Sequence, residues 1–135
     1  MKRVCKSIVL LVMVFAAAVS LAACGNGYTS HFTAKVLVHS NDSDSAKMSF
    51  SSFKGTMVFK VKVKEEGSVI RYSGKLESGS ITVYYDDAGT KEEWFTLQAG
   101  ESVEGTLENP GKGKVYIIIE TDGKCEEGKL TFEVK

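Results

Sequence analysis

The segment MVFKVKV, residues 57–63, alternates Met57, Phe59, Val61 and Val63 with Val58, Lys60 and Lys62. A period of two marks an extended strand with one apolar face and one solvated face. The same alternation runs through Ile70, Tyr72, Gly74 and Leu76, and again through Ile81, Val83 and Tyr85. Glu66-Gly67 and Ser78-Gly79 separate the three segments and read as two-residue hairpin turns. That reading predicts a meander in which Met57 faces Leu76, Phe59 faces Gly74, Val61 faces Tyr72 and Val63 faces Ile70. Across the second turn Leu76 faces Ile81, Gly74 faces Val83 and Tyr72 faces Tyr85. All the apolar side chains then share one side, an agreement that a one-residue slip destroys. Phe59 and Val83 cover Gly74 in this register.

Working outward, Phe32, Ala34, Val36 and Val38 alternate before the polar break SNDSDS at 40–45, and Met48 and Phe50 follow it. Downstream come Trp94–Leu97, a weaker segment at 103–107, and the loop NPGKGK at 109–114. Val115, Ile117 and Ile119 then run into Asp122-Gly123, a hairpin signal, and Leu130, Phe132 and Val134 close the chain. Nothing has helical spacing over three turns. The fold class expected is all-β, an antiparallel two-sheet sandwich of about 8 strands, because a single sheet leaves its apolar face uncovered. The run GKLESGSITVYYDDAG (74–89), followed by an aromatic pair and a Gly-bounded hairpin, resembles small jelly-roll or immunoglobulin-like modules of bacterial secreted proteins. The resemblance implies a sandwich and carries over no site residues.

The amino-terminal segment has a different character. Lys2, Arg3 and Lys6 precede an unbroken apolar run, Ile8 to Ala18, and small residues lead to Cys24. A basic start, an apolar core of this length and a small-residue zone form a secretory signal, shorter than the roughly 20 residues of a membrane span. Leu21-Ala22-Ala23-Cys24 resembles the bacterial lipobox. In that family the cysteine sulfur carries a diacylglycerol and the leader is cut just before it. The resemblance implies lipidation of Cys24, a partner in the membrane and a place on the bacterial cell membrane outside the cytoplasm. The expected organisation is therefore signal peptide (1–23), lipidated cysteine and short tether (24–30), and β-sandwich (31–135). Removing the first 23 of 135 residues leaves 112 and takes three of the 17 basic residues with it. The remaining 14 face 17 acidic residues, a formal charge of −3. That balance argues against nucleic acid, whose binding needs many neutralised phosphates. With Cys24 acylated and Cys5 in the leader, Cys125 has no disulfide partner.

Candidate chemistry is sparse. Asp42 and Asp44 suit turns; counted from Asp42, an EF-hand needs Gly where Lys47 stands and Glu where Phe53 stands. A looser oxygen site with Asp86 and Asp87 is the metal alternative, and neither a metal nor another cofactor is expected. His31 and His39 lie eight residues apart on one expected strand, about 26 Å, too far to share an ion. Cys125 beside Glu126 and Glu127 lacks the positive surroundings of a reactive thiol. No GxSxG, HExxH or Walker pattern occurs, so catalysis is not expected. In the meander, Lys60, Lys62, Lys64, Arg71 and Lys75 form one outer stripe with Lys62 opposite Arg71 and Arg71 opposite Asp86. Such a stripe is either a solvated face or a surface for anionic headgroups. Tyr84, Tyr116 and Trp94 fall on the polar side of their strands and make a candidate ligand surface for a glycan or peptide. The sequence thus points to a non-catalytic envelope module for a glycan, peptide or envelope protein. A structural subunit is the alternative, and an enzyme with a dispersed site a more distant one.

Overall fold

The computed structural model describes residues 28–135; Cys24 and the expected signal peptide lie outside the described residues. Among the described residues nine strands form: β1 (His31–Lys35), β2 (Val38–Asn41), β3 (Ser45–Val63), β4 (Ile70–Ser78), β5 (Ser80–Asp86), β6 (Glu92–Gln98), β7 (Glu101–Leu107), β8 (Gly113–Thr121) and β9 (Cys125–Val134). The all-β class follows directly. The hydrogen-bonded order is β6-β5-β8-β3-β9-β4-β7, with β1 and β2 also pairing to β3.

One strand makes two layers. The first half of β3 pairs with β9, from Ser45 opposite Glu133 to Phe53 opposite Cys125. Its second half pairs with β8, from Thr56 opposite Glu120 to Val63 opposite Gly113. One layer is therefore β6-β5-β8 with the end of β3, and the other is the start of β3 with β9-β4-β7. The inward side chains of β3 switch from Ala46, Met48 and Phe50 to Phe53, Met57, Phe59, Val61 and Val63, all buried. The switch comes just before Gly55, whose φ of 129° suits the bend. A Cβ there would stand 2.7 Å from the Phe32 Cα of β1.

The meander does not form. β4 pairs with β9 and β7, whereas β5 pairs with β6 and β8. Val63 is opposite Gly113 rather than Ile70, and Leu76 is opposite Gly128 and Glu101 rather than Ile81. Glu66-Gly67 is not a two-residue turn, because Val69 exchanges backbone hydrogen bonds with Lys135 (3.1 and 2.8 Å) and is drawn toward the end of β9. Gly79, at φ 103°, carries the chain between layers in one residue. Asp122-Gly123 likewise joins β8 to a strand of the other layer, so no β8–β9 hairpin exists. Alternation tells each segment which side is inward, and any antiparallel partner with an inward apolar face satisfies it. Gly74 is covered by Leu130 and Leu97.

The free edge of the second half of β3 is closed by two side chains and one main-chain carbonyl. The Asn41 amide accepts from Lys60 N (2.9 Å) and donates to Lys60 O (2.8 Å), as a neighbouring strand would. Ser30 Oγ accepts from Val58 N at 2.8 Å, and Ser43 O accepts from Lys62 N at 2.6 Å. An edge occupied in this way is not a template for aggregation.

Candidate functional site

The alternation that fills the core also decorates two outer faces. On the layer of β6-β5-β8-β3, outward residues stand in cross-strand rows: Val58, Ile118, Tyr84 and Glu93 in one, Lys60, Tyr116 and Asp86 in the next, then Lys62 and Lys114. Tyr84 and Tyr116 are thus diagonal neighbours on one surface, a spacing of roughly 7–8 Å. Ile118 lies on this outer face yet is only 1% exposed, between Val58 and Tyr84 in its row. Burial of such a side chain contributes about 2 kcal/mol. Lys91 places its ammonium 4.4 Å from the Tyr84 ring centre and 2.5 Å from Glu120.

Sequence reasoning missed Tyr28, which it left in the tether. Its ring packs 5.3 Å from that of Tyr116, and its hydroxyl donates to Asp86 Oδ2 at 2.6 Å. The other Asp86 oxygen accepts from Ala88 N and Gly89 N (3.2 and 2.7 Å). Burial, and then the Asp86 hydrogen bond, raise the Tyr28 phenol far above its ordinary value, so it stays a donor. Only a partner contributed by the distant end of β5, Asp86, could have flagged Tyr28, and no local pattern encodes that contact.

Trp94 does not join Tyr84 and Tyr116. The β5–β6 ladder slips between Val83, opposite Phe95, and Tyr84, opposite Glu93. Trp94 is the extra residue of this β-bulge, which turns it inward beside Phe95. Its ring lies 5.0 Å from Tyr72, 5.7 Å from Tyr85 and 5.5 Å from Phe132. Tyr72 stacks on Phe95 at 4.3 Å, so this aromatic cluster ties the two layers together.

The basic stripe divides in the same way. Lys60 and Lys62 belong to the layer of Tyr116, where Lys62 faces Lys114. Arg71 and Lys75 belong to β4 in the other layer, where Arg71 faces Glu133 and Thr106 rather than Lys62 or Asp86. Lys64 lies past the end of β3. The stripe depended on the meander and is lost with it.

The outer face of the second layer is polar and grooved. Ser73, Gly74, Lys75, Ser102, Val103, Glu104, Lys129 and Thr131 line a depression of about 560 Å³. One row across it reads Ser49, Lys129, Lys75 and Ser102, and the next Lys47, Thr131, Ser73 and Glu104. Lys75 and Lys129 stand directly opposite each other, an arrangement that costs stability. Among the described residues neither enters an ion pair. A second depression of about 340 Å³ continues this face past Ser49, Glu77 and Glu127 to Val36 and Val38.

The remaining candidates do not converge. His31 faces Thr56 and His39 faces Met48, so they stand eight positions apart along β3, with a strand break between them. Asp42 accepts a 3.5 Å bond from Ser45, and Asp87 accepts from Gly111 N at 2.7 Å. Among the described residues no three His, Cys, Asp or Glu groups could hold a metal ion. Cys125 is wholly buried, its Sγ 3.4 Å from Ser80 O. Burial raises its thiol above the ordinary range, and Asp122 adds to the rise. Native protein at pH 8 is therefore expected to leave Cys125 unmodified by a thiol-reactive dye, with rapid labelling in denaturant. Mass spectrometry of the Cys125 peptide checks this, and equal rates in both conditions contradict it.

No family model matches the chain, and no curated protein matches it. Among solved structures it is similar to the carbohydrate-binding module TmCBM61 in complex with β-1,4-galactotriose, at 12% identity and TM-score 0.49, over 78% of this chain and 87% of that one. A mutant family 29 carbohydrate-binding module complexed with mannohexaose is 18% identical, with TM-score 0.41 over 81% and 79% of the two chains. The Drosophila melanogaster CENP-C cupin domain is 14% identical, with TM-score 0.32 over 74% and 76%. None of these likenesses bears on which residues of this chain meet a ligand.

Proposed function

We propose that this chain is a lipid-anchored module of the bacterial cell envelope, held outside the cytoplasm through Cys24, that binds an acidic glycan without chemical conversion. The observation that carries the ligand class is the Lys75–Lys129 pair, side by side in the groove with no ion-pair partner among the described residues. A carboxylate or sulfate between them offsets their repulsion and gains charge-assisted hydrogen bonds. Ser73, Ser102 and Thr131 add hydroxyls that donate and accept, which matches a polyhydroxylated chain better than an apolar peptide anchor. Anchoring rests on the lipobox-like Leu21–Cys24 and the apolar run before it.

Titration calorimetry with acidic and neutral polysaccharides tests the reading. Wild-type protein is expected to bind a uronate-containing polymer, and Lys75→Ser or Lys129→Ser to weaken it by about tenfold each. Tyr84→Ala and Tyr116→Ala should bind as wild type does. Equal affinity for neutral polymers, or full binding by the lysine variants, removes the groove as the site. A second reading, contact with an envelope protein, draws on Val36 and Val38, which are 75% and 63% exposed. In-cell cross-linking from Val38 to one dominant protein would favour it.

A further inference from the structure

We infer that the outer face bearing Tyr28, Tyr84 and Tyr116 is seated on the anionic headgroups of the membrane, leaving the lysine groove of the other layer turned away from it. The inference rests on the lipidation proposed for Cys24 and adds an orientation to it.

The first ground is reach. Only residues 25–27 separate Cys24 from Tyr28, so the two Cα atoms are at most about 14 Å apart. Tyr28 is not free to swing, being fixed to Tyr116 and Asp86, and Ser30 is fixed to Val58. The chain therefore leaves the body on the outer face of the β6-β5-β8-β3 layer. Acyl chains on Cys24 put that residue at the boundary of hydrocarbon and headgroups. Tyr28 then stands within or just above the headgroup layer, which adds roughly 5–8 Å per leaflet. The opposite outer face is farther by the thickness of the sandwich, whose two sheets alone are about 10 Å apart. So short a connection cannot turn that face to the bilayer.

Reach alone still allows an edge-on seating, and the chemistry of the face decides between them. Three half-buried tyrosines lie on one surface, and tyrosine, apolar in body and polar at its tip, concentrates at membrane–water interfaces. Next to them Lys60, Lys62 and Lys114 occupy consecutive row positions, exposed and outside every ion pair among the described residues. The acidic groups of the same face are largely occupied: Asp86 is buried under the Tyr28 hydroxyl and Glu120 is held by Lys91, which leaves Glu93. Lysines near an anionic surface each strengthen binding on the order of fivefold.

Lysine footprinting of the full chain, expressed in bacteria and reconstituted into vesicles of phosphatidylcholine and phosphatidylglycerol, tests this. A water-soluble amine-reactive reagent is applied to the vesicles and to detergent-dispersed protein, and each digest is read by mass spectrometry. Lys60, Lys62 and Lys114 should be labelled about threefold or more slowly in vesicles than in detergent, while Lys75 and Lys129 are labelled alike in both. Without phosphatidylglycerol the difference should shrink. The same digest reports the mass of the amino-terminal peptide. An acylated peptide with uniform labelling of both faces, or with protection of Lys75 and Lys129, overturns the orientation and leaves the anchor standing. A peptide without the acyl increment overturns the anchor and the orientation together.

Discussion

Replacing Gly79 by alanine is expected to lower the unfolding free energy by about 3 kcal/mol or more. Two effects combine. Gly79 sits at φ 103°, where an L side chain is strained, and an added Cβ would stand 2.6 Å from Cys125 Sγ and 2.8 Å from Cys125 Cα. The second contact is with backbone, so no rotamer change relieves it. Gly89 separates the contributions, because its φ is 95° and nothing lies within 4 Å of the added atom. Gly89→Ala should therefore cost only about 1 kcal/mol, the conformational part alone. Urea denaturation followed by circular dichroism gives both values. Equal midpoints for the two variants would show that the one-residue passage from β4 to β5 is not tightly packed against β9. Gly55→Ala should resemble Gly79→Ala, because its Cβ would meet the backbone of β1.

Trp94→Ala is expected to cost about 3 kcal/mol of stability, and Phe132→Ala about 4 kcal/mol. Both truncations leave a void between layers that Tyr72, Tyr85 and Phe95 cannot close without leaving their own partners. Trp94→Ala is also expected to leave affinity for an acidic polysaccharide unchanged wherever the variant remains folded. A tryptophan presented to a ligand would behave in the opposite way, losing affinity at nearly full stability. Denaturation midpoints and titration calorimetry on one preparation distinguish the two. The bulge explains why strand parity misplaces this residue: with one extra residue between Glu93 and Phe95, neighbours in sequence stop alternating.

What could be read at each site followed the same division. Tyr84, Tyr116, Lys60 and Lys62 fall outside the core because each lies between inward-pointing apolar neighbours on its own strand, which is a local fact. Their neighbours were not local. Tyr28 reaches Asp86 across 58 positions, and Lys75 meets Lys129 across a ladder that joins β4 to the end of the chain. The groove could not be anticipated, because Ser73, Ser102 and Thr131 read singly as solvated strand positions.

The amino-acid sequence by itself determined an all-β body, the inward or outward sense of most side chains and the lipobox-like approach to Cys24. These depend on alternation and composition over a few residues. Only the tertiary structure decided which strands are neighbours, because an inward apolar face fits several antiparallel partners equally well. That choice is made by nonlocal contacts: the bend of β3 at Gly55, the single-residue crossing at Gly79, the pull of Lys135 on Val69, and the interlayer stack of Tyr72 on Phe95. From it follow the division of the basic residues between two faces and the pairing of lysines in the groove.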